Sequence, residues 1–492
     1  EKMAYLKKNV KLTDGKGSLT TQDLDYNLET GIGNFYNGGK VIEGKNVITS
    51  KDGTYYADTK DVYFKTNVEV KGPKNYIRTD SLLYNMATKV SSFITKTYIK
   101  NDEVEINTTQ GTYDLKTGNA YFTQRTSVKD STGRIYTADN MALDDQSGNA
   151  QLEGNAVIID TANHFIVIAN QIFLNKKNNS FLATRKPVLI IKQKNDSTYI
   201  AADTIFSGIS TRIESGKLSM KLDTTHNINL QQDKKVSDFV KDSIHLKNTI
   251  LPLEKKDSIS TIVKDTLSKL KGKLLIESPP INHFNKSEKD SITIHNKELV
   301  KESDSIRYFI AFHHVRIFND SLQSVSDSMY FSTKDSVIRL YYDPIIWSGN
   351  TQITGDTIFL FTQNQQPKRL YAFEKGMIVN RTKEGFFNQM AGKTINGYFV
   401  DGKIDYMNVR GSQSESIYYL QDDDQAYIGM NRASGDVINL YFLNEDLKKV
   451  IFINEINGVI FPMGLVPPDQ KELKNFKWLD AQRPKNKLEL FE

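Results

Sequence analysis

The sequence predicts an all-β chain: an elongated β-jelly-roll, or β-taco, of stacked antiparallel strands in two facing sheets, built as two such halves joined by a charged insertion. Three observations carry this expectation. Tyr (24) and Phe (25) supply nearly all the aromatics, and Gly (29) outnumbers Pro (11), a mixture suited to pleated, half-buried surfaces. Apolar residues recur two apart on both sides of short turns, which places one face of each strand against a common interior. The arrangement then repeats along the chain, roughly a dozen times, as repeat architectures do.

The clearest copy is YTADNMALDDQSGNAQLEGNAVIID, residues 136–160. Counting from Asp139, Met141 and Leu143 stand at the second and fourth positions, Ser147-Gly148 marks a turn, and Ala150 and Leu152 return. The same offsets from Thr109 reach Tyr113, Thr117-Gly118, Ala120 and Phe122. Asp80 leads to Leu82, Tyr84, Ser91 and Phe93, and Asn170 to Ile172, Leu174, Asn178-Asn179, Phe181 and Ala183. Gln22 gives Leu24 and Tyr26 and, one residue late, Gly31, Gly33 and Phe35, while Asp58 and Asp203 show the opening half only. In the last third, Asp327 leads to Met329, Phe331, Ile338 and Leu340, and Asp356 to Ile358 and Leu360. Glu415 leads to Ile417 and Tyr419, Asp436 to Ile438 and Leu440, and Gly392 is a poorer match. Gly at the break suits a tight turn because it accepts positive φ. One unit cannot cover its own apolar face, whereas stacked neighbours can. Repetition therefore predicts one continuous apolar lining, with the polar origin of each unit at a strand start.

Four regions follow: β-repeats over 1–215, an insertion over 216–303, a second β-repeat region over 304–465 and a tail over 466–492. Within the insertion, aromatics thin to Phe239 and Phe284 among dense Lys, Asp, Glu and Ser, and KDSI recurs at 241, 256 and 289. Such a stretch buries too little apolar surface to offset its ordering entropy, so it reads as a flexible or partly ordered linker, extended at Pro279-Pro280. In the tail, Pro468 near a first turn with acidic residues early permits a short helix, and Trp478 is expected to dock it.

Composition excludes several chemistries. Cys is absent, which removes disulfides, thiol catalysis and Cys-containing metal sites. Net charge is +5, from Lys+Arg 64 against Asp+Glu 59, mixed along the chain with no basic-aromatic cluster for nucleic acid. The longest apolar stretch, FIVIANQIFL at 165–174, is too short and interrupted to span a bilayer as a helix. The chain starts at Glu1, for which a cleaved signal peptide is one explanation. His164, His226, His245, His283, His295, His313 and His314 form no HxxxH or HExxH pattern, and His313-His314 reads as an ordinary strand or turn position. QDDDQ at 421–425 falls where the repeat demands a turn, so a solvated turn is expected rather than a cation site. GxSxG, Walker and GxGxxG motifs are absent. No catalytic residue, cofactor or metal is expected, and the recurring Asp residues suit structure better than catalysis, which needs one site and not a dozen.

The unit at 138–160 resembles the OstA-like family of lipopolysaccharide-transport proteins. The resemblance rests on Ala138-Asp139, Leu143-Asp144, Gly148 and Gly154-Asn155, with Tyr113-Asp114 and Tyr84-Asn85 as sister copies. It is clear over 18–210 and weaker over 304–460, and the length and charged insertion resemble long members from Bacteroidetes-type bacteria. It implies a periplasmic, non-enzymatic protein, free or associated with the outer membrane, that shields acyl chains between its sheets and passes lipopolysaccharide or a related lipid outwards. Implied partners are like-folded transport proteins of the inner and outer membranes, met by strand augmentation, and further copies head to tail. The implied lining comprises Tyr26, Leu82, Tyr84, Phe93, Tyr113, Phe122, Met141, Leu143, Leu152, Ile172 and Leu174, and in the second region Met329, Phe331, Ile358 and Leu360. Two other readings stand beside it: a closed scaffold that binds proteins along its sheet edges, and a β-helical carbohydrate-active enzyme with carboxylates clustered in one cleft.

Overall fold

The computed structural model describes residues 2–13, 17–192, 197–211, 305–363 and 366–491. The expected insertion at 216–303, with His226, His245, His283 and His295, lies outside them. One compact unit gathers Glu1–Gly208 with Tyr308–Glu492, and its description follows.

The unit is a jelly-roll of antiparallel strands in which each rung pairs with the next rung along the chain. A full rung is one strand bent at its middle. Met3–Thr13 pairs with Gly17–Asn27 on both sides of a register break between Lys7 and Val10. Gly17–Asn27 pairs with Ile32–Glu43 across a break between Thr21 and Asp23. Elsewhere the bend splits the strand outright: Asn149–Asp160 faces Asn140–Asp144 with its first half and Ile135–Ala138 with its second. The bends align, so the halves on one side form a first sheet and those on the other a second. The first sheet holds, for example, Tyr76–Asn85 from Ser81 onward, Val90–Phe93, Gly111–Asp114 and Ala120–Phe122. The second holds Thr97–Lys100, Val104–Thr108 and Thr126–Asp130. Past the insertion the ladder continues, since Ser197–Ala201 pairs with Ser305–Phe318 through Tyr199↔Phe318 and Ala201↔Arg316.

The bend explains the repeat. Many of the alternate rungs turn on two left-handed residues, among them Lys8-Asn9, Asn37-Gly38, Thr66-Asn67, Gly154-Asn155, His313-His314 and Glu374-Lys375. A non-glycine residue pays about 1–2 kcal/mol for that conformation, so something must hold it. The rungs between supply a polar residue there, and these are the origins of the sequence repeat. Asp139 N–H donates to Gly154 O at 2.9 Å, while Asn155 Nδ2 donates to its carboxylate at 2.8 Å. Asp203, Asp356 and Asp436 donate likewise to His313, Glu374 and Asn454. Asp139 is therefore a corner residue that directly precedes the strand Asn140–Asp144. Two origins depart from this: Asp58 lies in a surface turn, and Glu415 lies within Lys403–Gln421.

The tail forms short 3-10 turns, with Pro468 opening the turn Pro468–Gln470 and Asp469 within it. It crosses the outer face of the second sheet as a strap held by buried glutamines. Gln389 donates to Lys471 O at 2.9 Å and accepts from Leu473 N at 2.8 Å. Gln352 repeats this on Lys477 O and Leu479 N at 2.8 and 2.7 Å. Trp478 packs on Phe387 with ring centroids 5.4 Å apart, and Leu490 is buried with Val188 and Ala201. Leaving a buried amide or its backbone partners unsatisfied costs about 1–3 kcal/mol. Gln352→Ala and Gln389→Ala should each lower unfolding stability by about that amount, measured as a lower urea midpoint at unchanged slope.

Candidate functional site

Between the sheets lies one continuous apolar cluster running from Leu19 to Leu447. It collects all the lining residues expected from the sequence. Leu82, Tyr84, Phe93, Tyr113, Phe122, Met141, Leu152, Ile172, Leu174, Met329, Ile358 and Leu360 are buried within it, while Tyr26, Leu143 and Phe331 are half-buried against it. The repeat pattern revealed the first-sheet half of the lining and overlooked most of the second. Val68, Val70, Ile77, Ile99, Ile106, Val128, Ile158 and Val167 face the same interior. Their signal was present as alternating apolar residues in VEV (68–70) and VEIN (104–107), upstream of the origins at Asp80 and Thr109.

Aromatics concentrate on the first sheet, and branched aliphatics on the second. Phe35 meets Phe64 edge-on at 6.1 Å. Phe165 of the second sheet meets Phe309 of the first at 5.4 Å, so the two sheets touch through side chains there. Beside the corners the second sheet carries buried hydroxyls that satisfy one another: Thr97 donates to Thr79 at 2.9 Å, and Thr108 lies 2.8 Å from Thr126. The interior is thus apolar in depth and hydroxyl-lined at its apex.

Opposite the corners, the turns that end the two sheets face each other as two lips. Polar side chains bridge them. The Tyr84 hydroxyl donates to Glu43 Oε2 at 2.7 Å, and Lys89 pairs with the other oxygen of Glu43. Tyr113 donates to Asn75 Oδ1 at 3.1 Å. Burial pushes the Tyr84 and Tyr113 hydroxyls up to about 12, so both stay protonated donors. Arg134 joins the buried Asp160 at 2.5 Å and reaches Asn179 on the opposite lip. Burial alone would raise the Asp160 carboxyl, but hydrogen bonds from Asn163 and Arg134 prevail and hold it below its ordinary value.

His313 and His314 occupy a left-handed corner, their Nδ1 atoms 2.9 Å from Asp327 and Asp203. The QDDDQ segment is an exposed turn in which Asp422 Oδ1 accepts from Ala426 N at 2.8 Å. No group of three or more His, Asp or Glu side chains is arranged to hold a metal among the described residues. No helix among them is long and apolar enough to cross a membrane.

These features define a class: a corner-bent, two-sheet β-stack with one apolar seam and polar lips. The profile of the family described as OstA-like protein matches residues 1–80, so the resemblance read from the repeats is shown over the first rungs. A search of curated proteins returned no match to the chain.

Two outcomes test this geometry. Phe64→Ala should cost about 3–5 kcal/mol in urea unfolding, since Phe64 is fully buried. The depressed Asp160 carboxyl contributes stability that is present above its unfolded value of about 3.9 and lost as pH falls through the lower folded value. Asp160→Asn should therefore lower the urea midpoint at pH 7 and flatten its decline between about pH 5 and 3.

Proposed function

We propose that this protein binds the acyl chains of lipopolysaccharide, or a related anionic lipid, between its two sheets and carries them across the periplasm towards the outer membrane. The observation that carries the reading is the unbroken apolar interior shared by rungs from both β regions. The OstA-like match over residues 1–80 supports it. No bond is made or broken. Each methylene transferred from water to the seam contributes about 0.8 kcal/mol, so affinity would come from chain burial and orientation from the lips.

Lipid admission requires the sheets to part, because most lining residues are almost fully covered. Leu82, Tyr84, Phe122 and Leu152 are each 0% exposed. The hinge lies at the corners, where consecutive halves are joined by two residues and not by a sheet ladder. Strand addition would supply the partners, since unpaired sheet edges template further strands. Met3–Thr13 pairs only with Gly17–Asn27 among the described strands, and Asn457–Pro462 only with Tyr427–Leu443. Both termini of the ladder thus offer edges to like-folded transport proteins or further copies.

The same covered interior favours a second reading, a closed scaffold that binds proteins along those edges and never opens. One experiment separates them. The purified protein is titrated with lipopolysaccharide while a seam-bound apolar fluorophore is monitored, and Leu152→Asp is run in parallel. The transport reading expects saturable displacement by the wild type and at least ten-fold weaker binding by Leu152→Asp with retained β circular dichroism. A wild type that ignores both fluorophore and lipopolysaccharide supports the scaffold.

A further inference from the structure

The lips are not uniformly closed. Between the turn at 101–103 on the second sheet and the turns at 144–148 and 176–177 on the first lies a notch of about 90 Å³. Its floor is apolar, formed by Val104, Ile106, Leu143 and Ala150, and its rim carries Glu103, Asp144 and Asp145 beside Lys176 and Lys177; the Asp144 carboxylate is engaged in its own turn, accepting from Gln146 N and Ser147 N. Across this rim Glu103 and Lys176 are 4.0 Å apart, a loose ion pair. Further along the lips, past the Tyr113–Asn75 bridge, lies the tighter Glu43 group with Lys89 and Tyr84. Glu43 is only 10% exposed and Lys89 31%, whereas Glu103 is 68% exposed.

From this gradient we infer that the lips form an electrostatic latch, and that the notch at Glu103–Lys176 is the port where an anionic amphiphile begins to open the seam. The inference rests on the transport reading and names its entry site and control. The chemistry is an exchange of counter-charges. A phosphate or carboxylate headgroup takes the place of Glu103 at Lys176, with Lys177 beside it, while its tail meets the apolar floor. The freed lip then loads the neighbouring bridges, and at Glu43 the same exchange delivers Lys89 to the headgroup. Exposed pairs are weak and screened by salt, so the Glu103 pair is the first to yield. The buried Glu43 group, charge-assisted at both oxygens, resists longer.

The order of opening can be read kinetically. The probes are N-phenyl-1-naphthylamine, which is neutral and reports opening alone, and lipopolysaccharide, which adds the headgroup. Glu103→Gln and Glu43→Gln should each take up the neutral dye faster than wild type, about three-fold and about ten-fold. Raising salt should speed dye uptake by the wild type and leave Glu103→Gln/Glu43→Gln unchanged. Lys176→Gln/Lys177→Gln should take up the dye at least as fast as wild type, yet bind lipopolysaccharide several-fold more slowly. Equal dye and lipopolysaccharide rates for all variants, with normal binding at equilibrium, would overturn the latch while leaving the transport reading intact. A wild type that takes up neither probe, with the variants equally inert, would remove the transport reading itself. Circular dichroism of each variant separates either result from unfolding.

Discussion

Everything in this molecule depends on one constraint: a single rung cannot hide its own oily face. Each half-strand contributes about five residues, roughly 17 Å of extended chain, and presents two or three apolar side chains inward. Only neighbours above and below can cover them, and only a second sheet can cover their tips. The bent strand meets both demands, because bending places two halves of one rung opposite each other. The cost of the bend is a pair of left-handed residues on many of the alternate rungs, and an Asp on the neighbouring rung, such as Asp139, Asp203 or Asp356, holds that pair in place. Chain composition follows: alternating apolar residues, corner Asp and Asn, and glycines where turns need positive φ.

The fold was legible because burial repeats. Met141-Leu143, Leu82-Tyr84 and Ile358-Leu360 gave the strand period directly. What the sequence hid was the meaning of the origin residue. Asp139 looked like the start of a strand because the apolar period slips there by one position, and a slip reads as a boundary. In three dimensions Asp139 is the corner between two halves of one rung, and the second half starts at Asn140. The lining of the second sheet was overlooked for the same reason, since Val68, Ile99 and Ile106 sit before the slip, outside the offsets counted from each origin. The tail could not be placed at all. Its anchors, Gln352 and Gln389, are polar residues on an outer face, and nothing local distinguishes them from solvated glutamines until the strap covers them.

The interior and the lips divide the work between two kinds of force. Apolar burial is non-directional and fixes only that the sheets stay together. The lip contacts are directional and specific: Tyr84 to Glu43, Tyr113 to Asn75, Arg134 to Asn179. They decide where the sheets stay together most firmly. The second-sheet strap adds a further asymmetry, since it crosses strands from Val188 to Arg432 and the earlier rungs have no comparable cover among the described residues. Rungs near the notch therefore combine the loosest lip with an unstrapped outer face. A molecule arranged in this way opens locally, at a defined place, before it opens anywhere else.

Lipid carriage between the sheets requires them to separate at their lips while the corners hold. Because the chain has no Cys, spin labels can be placed at will. Lys45→Cys and Thr88→Cys put one label on each lip at exposed turn positions. Electron–electron double resonance between them should give a single short distance in the free protein and a longer one when lipopolysaccharide is bound. A distance that does not change at saturating lipopolysaccharide would contradict the claim that lipid is held between the sheets.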